Sequence, residues 1–97
     1  MTEQAQLTVR DNSDDQRFEA VDESGVVAGF AAYRRDGDRV VFVHTVVDDA
    51  FEGRGVGSTL VGAALDAVRG EGRRVEAQCP FVRGYIEKNP EYADLTR

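Results

Sequence analysis

The chain has one cysteine, Cys79, one histidine, His44, two prolines and no tryptophan in 97 residues. A single cysteine excludes an internal disulfide framework and leaves the cytosol as the default compartment. One Cys and one His are too few for a structural zinc site, so no metal is expected. No apolar run approaches the roughly 20 residues of a spanning helix. The start, Met1-Thr2-Glu3-Gln4-Ala5, lacks the basic and apolar regions of a signal peptide. The expectation is a cytoplasmic protein without membrane association. Lysine is scarce as well: Lys88 stands alone against eleven arginines. Acids outnumber bases 18 to 12, and the net charge of −6 argues against nucleic-acid or anionic-membrane binding, which need a basic face. It suits a cationic acceptor such as an amine, although solubility alone also accounts for it.

What is present is a 41% hydrophobic content, enough for a real core, in 97 residues, a length that suits one small domain over residues 1–97 and not two. A core this small leaves no large internal cavity, so a ligand must use the surface or a cleft in a single sheet. A monomer or weak homodimer is expected.

The most informative stretch is Val46 to Gly62. Glu52-Gly53-Arg54-Gly55-Val56-Gly57 carries three glycines at every second position. Glycine admits positive φ and lets a ligand approach without a Cβ in the way. A helix beginning there turns its free N–H groups and partial positive end on the bend, making a candidate phosphate site over Gly53, Arg54, Gly55, Val56, Gly57 and Ser58. The alternative is a loop that only turns a strand into a helix. A P-loop is excluded, because no Lys follows the last glycine. The dinucleotide fingerprint is excluded because Ser58 stands where it needs Gly or Ala.

In chain order, residues 1–6 read as a polar, frayed start. Leu7 to Arg10 reads as an edge strand and Asp11 to Asp15 as a turn cluster. Arg17 to Asp22 and Val26 to Tyr33 read as half-buried strands, with a bulge at Gly29. Arg34 to Asp38 reads as a hairpin loop around Asp36-Gly37. Arg39 to Val47 is apolar on both faces, with Val40, Phe42, His44 and Val46 on one and Val41, Val43, Thr45 and Val47 on the other. That pattern predicts a central strand covered on both sides. A helix from about Arg54 to Arg69 stops at Gly70-Glu71-Gly72. A fifth strand over Arg73 to Gln78 must then run parallel to the fourth. Residues 80–88 form a second helix ended by Asn89-Pro90, with Tyr92 and Leu95 packing back. The fold class is α+β: a mostly antiparallel sheet of about five strands with one parallel βαβ crossover and a C-terminal helix.

Three side chains carry candidate chemistry. Pro80 favours the first helical position, which makes Cys79 the N-cap. A thiol there is either a nucleophile favoured by the helix dipole or a small buried residue that fits. His44 is either a base near that thiol, if neighbouring strands bring the two together, or a satisfied core imidazole. Tyr85 is either a proton donor or an amphipathic core anchor. Asn89 contacts a ligand or simply ends its helix, and Asp48 and Asp49 either attract an ammonium group or are solvated.

His44-Thr45-Val46-Val47, the Gly53 to Gly57 bend, Cys79-Pro80-Phe81-Val82 and Tyr85-Ile86 followed by Asn89-Pro90-Glu91-Tyr92 occur in this order. Over Arg17 to Leu95 this resembles the GNAT acetyltransferases, in their short single-domain, YjdJ-type branch. The bend is similar to that family's Gln/Arg-x-x-Gly-x-Gly/Ala, with Glu52 departing at the first position. The resemblance implies the minimal GNAT-like fold and acetyl-CoA bound where strands four and five splay apart. It implies backbone from Val46 and Val47 on the pantetheine, Gly53 through Ser58 on the pyrophosphate, and Asn89 along the coenzyme. His44 and Cys79 then flank the acetyl group, and Tyr85 protonates the departing thiolate, as a Tyr does in many of these enzymes. The branch lacks the helices that shape the acceptor pocket in larger members, so the amine, small molecule or protein, is not implied. The leading expectation is an N-acetyltransferase working directly or through an acetylated Cys79. A non-catalytic coenzyme A or acetyl-CoA binding module and a small interaction domain are the alternatives.

Overall fold

The computed structural model describes residues 7–97; the start over residues 1–6 lies outside the described residues. Five strands form one sheet in sequence order: β1 (Thr8–Asn12), β2 (Arg17–Val21), β3 (Val27–Asp36), β4 (Arg39–Val47) and β5 (Arg74–Ala77). Neighbours are antiparallel except β4 and β5, which are parallel and joined by α1 (Val56–Gly70). Helix α2 (Pro80–Lys88) and a 3₁₀ segment (Pro90–Thr96) complete the chain. The α+β class, the five strands and the parallel crossover are those the sequence predicts.

Both ends of the first hairpins run further than turn chemistry suggests. Strand β1 extends through Asn12, and β3 through Asp36. Tertiary partners hold these polar ends in the sheet: Tyr33 and Arg35 donate to the Asp11 carboxylate, and Asn12 donates to Glu19. The connection from β3 to β4 is thereby cut to Gly37-Asp38, with Gly37 at φ +62°.

Helix α1 starts at Val56 rather than Arg54, because Gly55 is left-handed, φ +73°. Its apolar stripe Val56, Leu60, Val61, Ala64, Leu65 and Val68 packs on Phe18, Ala20, Ala31, Tyr33, Val40 and Phe42. Helix α2 lies on the same face and adds Val82 and Ile86, while Tyr92 and Leu95 close the core from the final segment. Close approach of the helices depends on two glycines. A Cβ on Gly57 would sit 2.6 Å from the Phe81 ring, and one on Gly62 would sit 2.6 Å from the Tyr85 hydroxyl.

Strand β4 departs from the two-faced pattern read in its sequence. Val40, Val41 and Phe42 are buried as expected, but Val43, His44 and Val46 are exposed. The cause is a bulge: Ala32 pairs with His44 and Tyr33 with Phe42, so Val43 is the extra residue. An extra residue inverts the alternation. Beyond it Thr45 pairs with core Ala31, whereas His44 and Val46 pair with Ala32 and Phe30 on the face away from the helices. The bulge expected at Gly29 is displaced by one residue: Ala20 pairs with Gly29 and Val21 with Val27, so Ala28 is extra. Gly29 instead permits close contact, since a Cβ there would lie 2.8 Å from the Val46 carbonyl oxygen.

Candidate functional site

The glycine bend closes onto the start of α1. After β4, Asp48 accepts from the Ala50 N–H at 2.9 Å and caps a short 3₁₀ turn, Asp49–Phe51. Its carboxylate therefore has a local structural task. Gly53 and Gly55 follow, at φ +80° and +73°, conformations that L side chains adopt only with strain. The first helical bond of α1 is Thr59 N–H to the Gly55 carbonyl at 3.0 Å, and no side chain caps the helix. The N–H groups of Val56, Gly57 and Ser58 therefore have no helical acceptor. They border a cavity of about 370 Å³ lined by Val47, Phe51, Glu52, Gly53, Gly55, Val56, Gly57, Ser58 and Phe81. Arg54 leans its guanidinium over the Phe51 ring, 5.8 Å from the centroid. Uncapped amides, a helix N-terminus and an adjacent guanidinium suit an anion of phosphate size.

A wedge opens beside this cavity. Strands β4 and β5 are paired only from Arg39–Arg74 to Phe42–Ala77. The N–H groups of Gln78 and Cys79 then both converge on the Phe42 carbonyl, each at 3.0 Å. The ladder cannot advance past Phe42, and the β5-facing edge of β4 from Val43 to Val47 is left without a strand partner. Val46 and Val47 lie on that edge, leading into the bend.

Cys79 sits at the foot of the wedge. It is the N-cap of α2 with extended geometry, φ −75° and ψ 125°, and Pro80 follows at the first helical position. The thiol makes no capping bond; it is 3% exposed and lies 3.4 Å from the Thr45 hydroxyl. His44 is not its partner, contrary to the approach expected from adjacent strands. The Val43 bulge turns the imidazole to the other face, where it stacks 5.9 Å from the Phe30 ring. The Arg17 guanidinium lies over the same ring at 4.5 Å.

Tyr85 is set between the helices. Its hydroxyl abuts Gly62 and its ring lies 6.0 Å from Tyr92. Burial raises its pKa, and Asp66 and Glu91 push in the same direction. Tyr92 donates to Asp66 at 2.7 Å, and that bond, with burial, pushes its phenol up to about 12. Asn89 caps the far end of α2, its side-chain amide donating to the Tyr85 carbonyl at 2.9 Å. The bend and Cys79 are thus gathered at one end of the helix layer, while Tyr85 and Asn89 lie further along α2 and His44 lies across the sheet. Among the described residues no cluster of three or more His, Cys, Asp or Glu side chains forms a metal site.

The family profile of the GCN5-related N-acetyl-transferases matches residues 17–95. This chain belongs to that family. Among solved structures, a GCN5-like protein of Staphylococcus aureus, studied by NMR in solution, superposes with a TM-score of 0.71 at 26% identity. The match covers 94% of this chain and 88% of that one. Among curated relatives, Protein NATD1 of Homo sapiens is 39% identical over 59 residues, covering 60% of this chain and 52% of its own length. The Gallus gallus protein of that name matches to the same identity over 54% of its length. The chain thus spans about half the length of the curated relatives it matches. GCN5-related N-acetyl-transferases generally use acetyl-CoA.

Two residues beside the thiol and the cavity have neighbours that local sequence signals do not give. Thr45 becomes the thiol's partner only through the bulge, which nothing in the Val-rich strand announces. Phe81 lines the cavity at the bend while 46% exposed; an apolar residue in the first turn of a helix, beside a proline, reads as core.

Proposed function

We propose that this protein is an acetyl-CoA-dependent N-acetyltransferase acting on an amine. One arrangement carries the reading: uncapped amides at the bend lead directly along the unpaired edge of β4 to the buried Cys79 thiol. The pyrophosphate is taken by the Gly53 to Ser58 segment, with Arg54 adding charge. The pantetheine amides pair with backbone at Val46 and Val47, as an added strand would. The bulge at Val43 brings the strand's two faces into use. The coenzyme lies on the helix side, and the face carrying His44 and Phe30 is open to an acceptor.

In direct transfer the neutral amine attacks the thioester carbonyl. The C–N bond forms, the C–S bond breaks, and coenzyme A leaves as a thiolate. The amine proton passes to His44 or to water, and a proton donor such as Tyr85 neutralises the thiolate. In the two-step route the Cys79 thiolate attacks first, expels coenzyme A and carries the acetyl group until the amine displaces it. The Thr45 hydroxyl at 3.4 Å is placed to donate a hydrogen bond to that thiolate.

A second reading, a coenzyme A binding module without catalysis, is favoured by one observation. The β1–β2 connection is only the turn over residues 13–16, so nothing from it builds an acceptor pocket on the His44 face. Calorimetric titration with acetyl-CoA, followed by intact mass of the same sample, tests the assignment. Binding with an acetyl group added at Cys79 supports transfer through the thiol. Binding without modification directs the work to a screen of amines, in which no turnover above the chemical background favours the module. No binding refutes both readings.

A further inference from the structure

Gly84 stands in the middle of α2, and no contact among the described residues requires it there. A Cβ at Gly57 or Gly62 would collide with the facing helix, but a Cβ at Gly84 would meet no atom within 4 Å. Its φ is not in the left-handed region. A glycine inside a helix costs about 1 kcal/mol relative to alanine, so this one is unexplained by the fold. What it does is leave open a groove of about 240 Å³, lined by Ser58, Pro80, Phe81, Gly84, Tyr85 and Lys88. Ser58 and Phe81 also line the anion cavity at the bend. The two spaces therefore meet at those residues, and the groove runs on from the start of α1 along the face of α2 that carries residues 81, 84, 85 and 88. At its far end lies Lys88, the chain's single lysine, which makes no ion pair among the described residues. Phe81, the tip of its ring held against Gly57 while the residue is 46% exposed, offers an aromatic surface at the entrance.

We propose that this groove holds the adenosine 3′-phosphate end of coenzyme A, with the adenine against Phe81 and the Gly84 backbone and the 3′-phosphate on Lys88. The inference rests on the acetyl-CoA reading and extends it. From Phe81 to Lys88 is seven residues of helix, about 10 Å of rise, and the lysine stem leans back toward the helix N-terminus. The groove thus leads from the bend, past Phe81, to an ammonium group carried back toward it. The chemistry is complementary as well: a flat apolar surface takes a purine, and an unpaired ammonium takes a phosphate in an otherwise acidic protein. Arg83, the other cation of α2, is turned elsewhere, with its guanidinium donating to the Gln78 carbonyl at 3.0 Å.

The test is calorimetric titration of the unmodified protein, Gly84→Leu and Lys88→Met with three probes: acetyl-CoA, its 3′-dephospho form, and S-acetyl-4′-phosphopantetheine, which lacks the adenosine. A side chain at Gly84 fills open space and raises helix propensity, so Gly84→Leu keeps or gains thermal stability. It is expected to weaken acetyl-CoA binding at least about tenfold while leaving the phosphopantetheine probe unchanged. The unmodified protein is expected to prefer acetyl-CoA over the dephospho form by roughly fivefold, as for an exposed ion pair, and Lys88→Met to abolish that preference. Equal binding of acetyl-CoA by Gly84→Leu and the unmodified protein overturns the groove. An undiminished 3′-phosphate preference in Lys88→Met overturns the role of that lysine. Binding of acetyl-CoA with neither effect overturns the inference and leaves the acetyltransferase reading intact, whereas no binding by the unmodified protein overturns both.

Discussion

Replacing Gly55 tests the anion site with strain and charge kept apart. The residue holds φ +73° at the N-cap of α1, and the space beside it is open, with no atom within 4 Å of where a Cβ would stand. Gly55→Ala therefore adds only backbone strain, roughly 1–2 kcal/mol, and lowers thermal stability accordingly. Gly55→Glu adds similar strain and a carboxylate on the rim of the cavity. A negative charge about 6 Å from a doubly charged pyrophosphate, at an effective dielectric near 20 and partly screened, opposes binding by about 2 kcal/mol. That is roughly a thirtyfold loss of affinity. The assay is calorimetric titration of both variants with acetyl-CoA at low and near-physiological salt, with far-UV circular dichroism as the control for folding. The gap between Glu and Ala is expected to narrow as salt rises. A folded Gly55→Glu protein that binds as tightly as Gly55→Ala at low salt refutes the placement of the pyrophosphate at the bend.

Other consequences are equally direct. Cys79→Ala removes the Thr45 contact and should lower stability by about 1 kcal/mol; undiminished amine turnover in that variant excludes the carrier route. Gly62→Ala drives a Cβ to 2.6 Å from the Tyr85 hydroxyl and should destabilise by about 1–3 kcal/mol in urea. Adding Tyr85→Phe removes the colliding oxygen, leaving the ring carbon at 3.4 Å, and should recover part of the loss. Glu19 is buried yet accepts from Asn12, Arg17 and Arg10. These bonds, that from Asn12 foremost, hold its carboxyl down at about 2 against an ordinary 4.5. The folded state thus releases the proton more readily than the unfolded one. The stabilisation is complete above pH 4.5 and is lost as the pH falls toward about 2. With the exposed Arg10 discounted for solvent, the contribution is about 2–3 kcal/mol. Denaturation midpoints measured across that interval should fall, and Glu19→Gln should flatten the dependence.

The elements and much of the site were written in short-range signals along the chain. Period-two runs marked the strands, and an apolar stripe at helical spacing marked α1. Pro80 marked the start of α2, with Cys79 at its N-cap, and Asn89-Pro90 marked its end. All of these are carried by neighbouring residues through steric and capping rules. The glycine bend was legible for the same reason, since positive φ is a property of single residues. Which side chains meet was settled only by the packed fold. One extra residue at Val43 reversed the faces of β4, gave Cys79 to Thr45 and sent His44 to Phe30. A bulge is set by register against β3, and register is a pairwise property that a strand apolar on both faces does not encode. The polar ends of β1 and β3 stayed in the sheet through partners on other strands, Asp11 with Tyr33 and Asn12 with Glu19. Gly84 makes the same point from the other direction. In the sequence it is one weak helix former within α2, and it becomes a groove only when α1 packs beside it and leaves its flank uncovered.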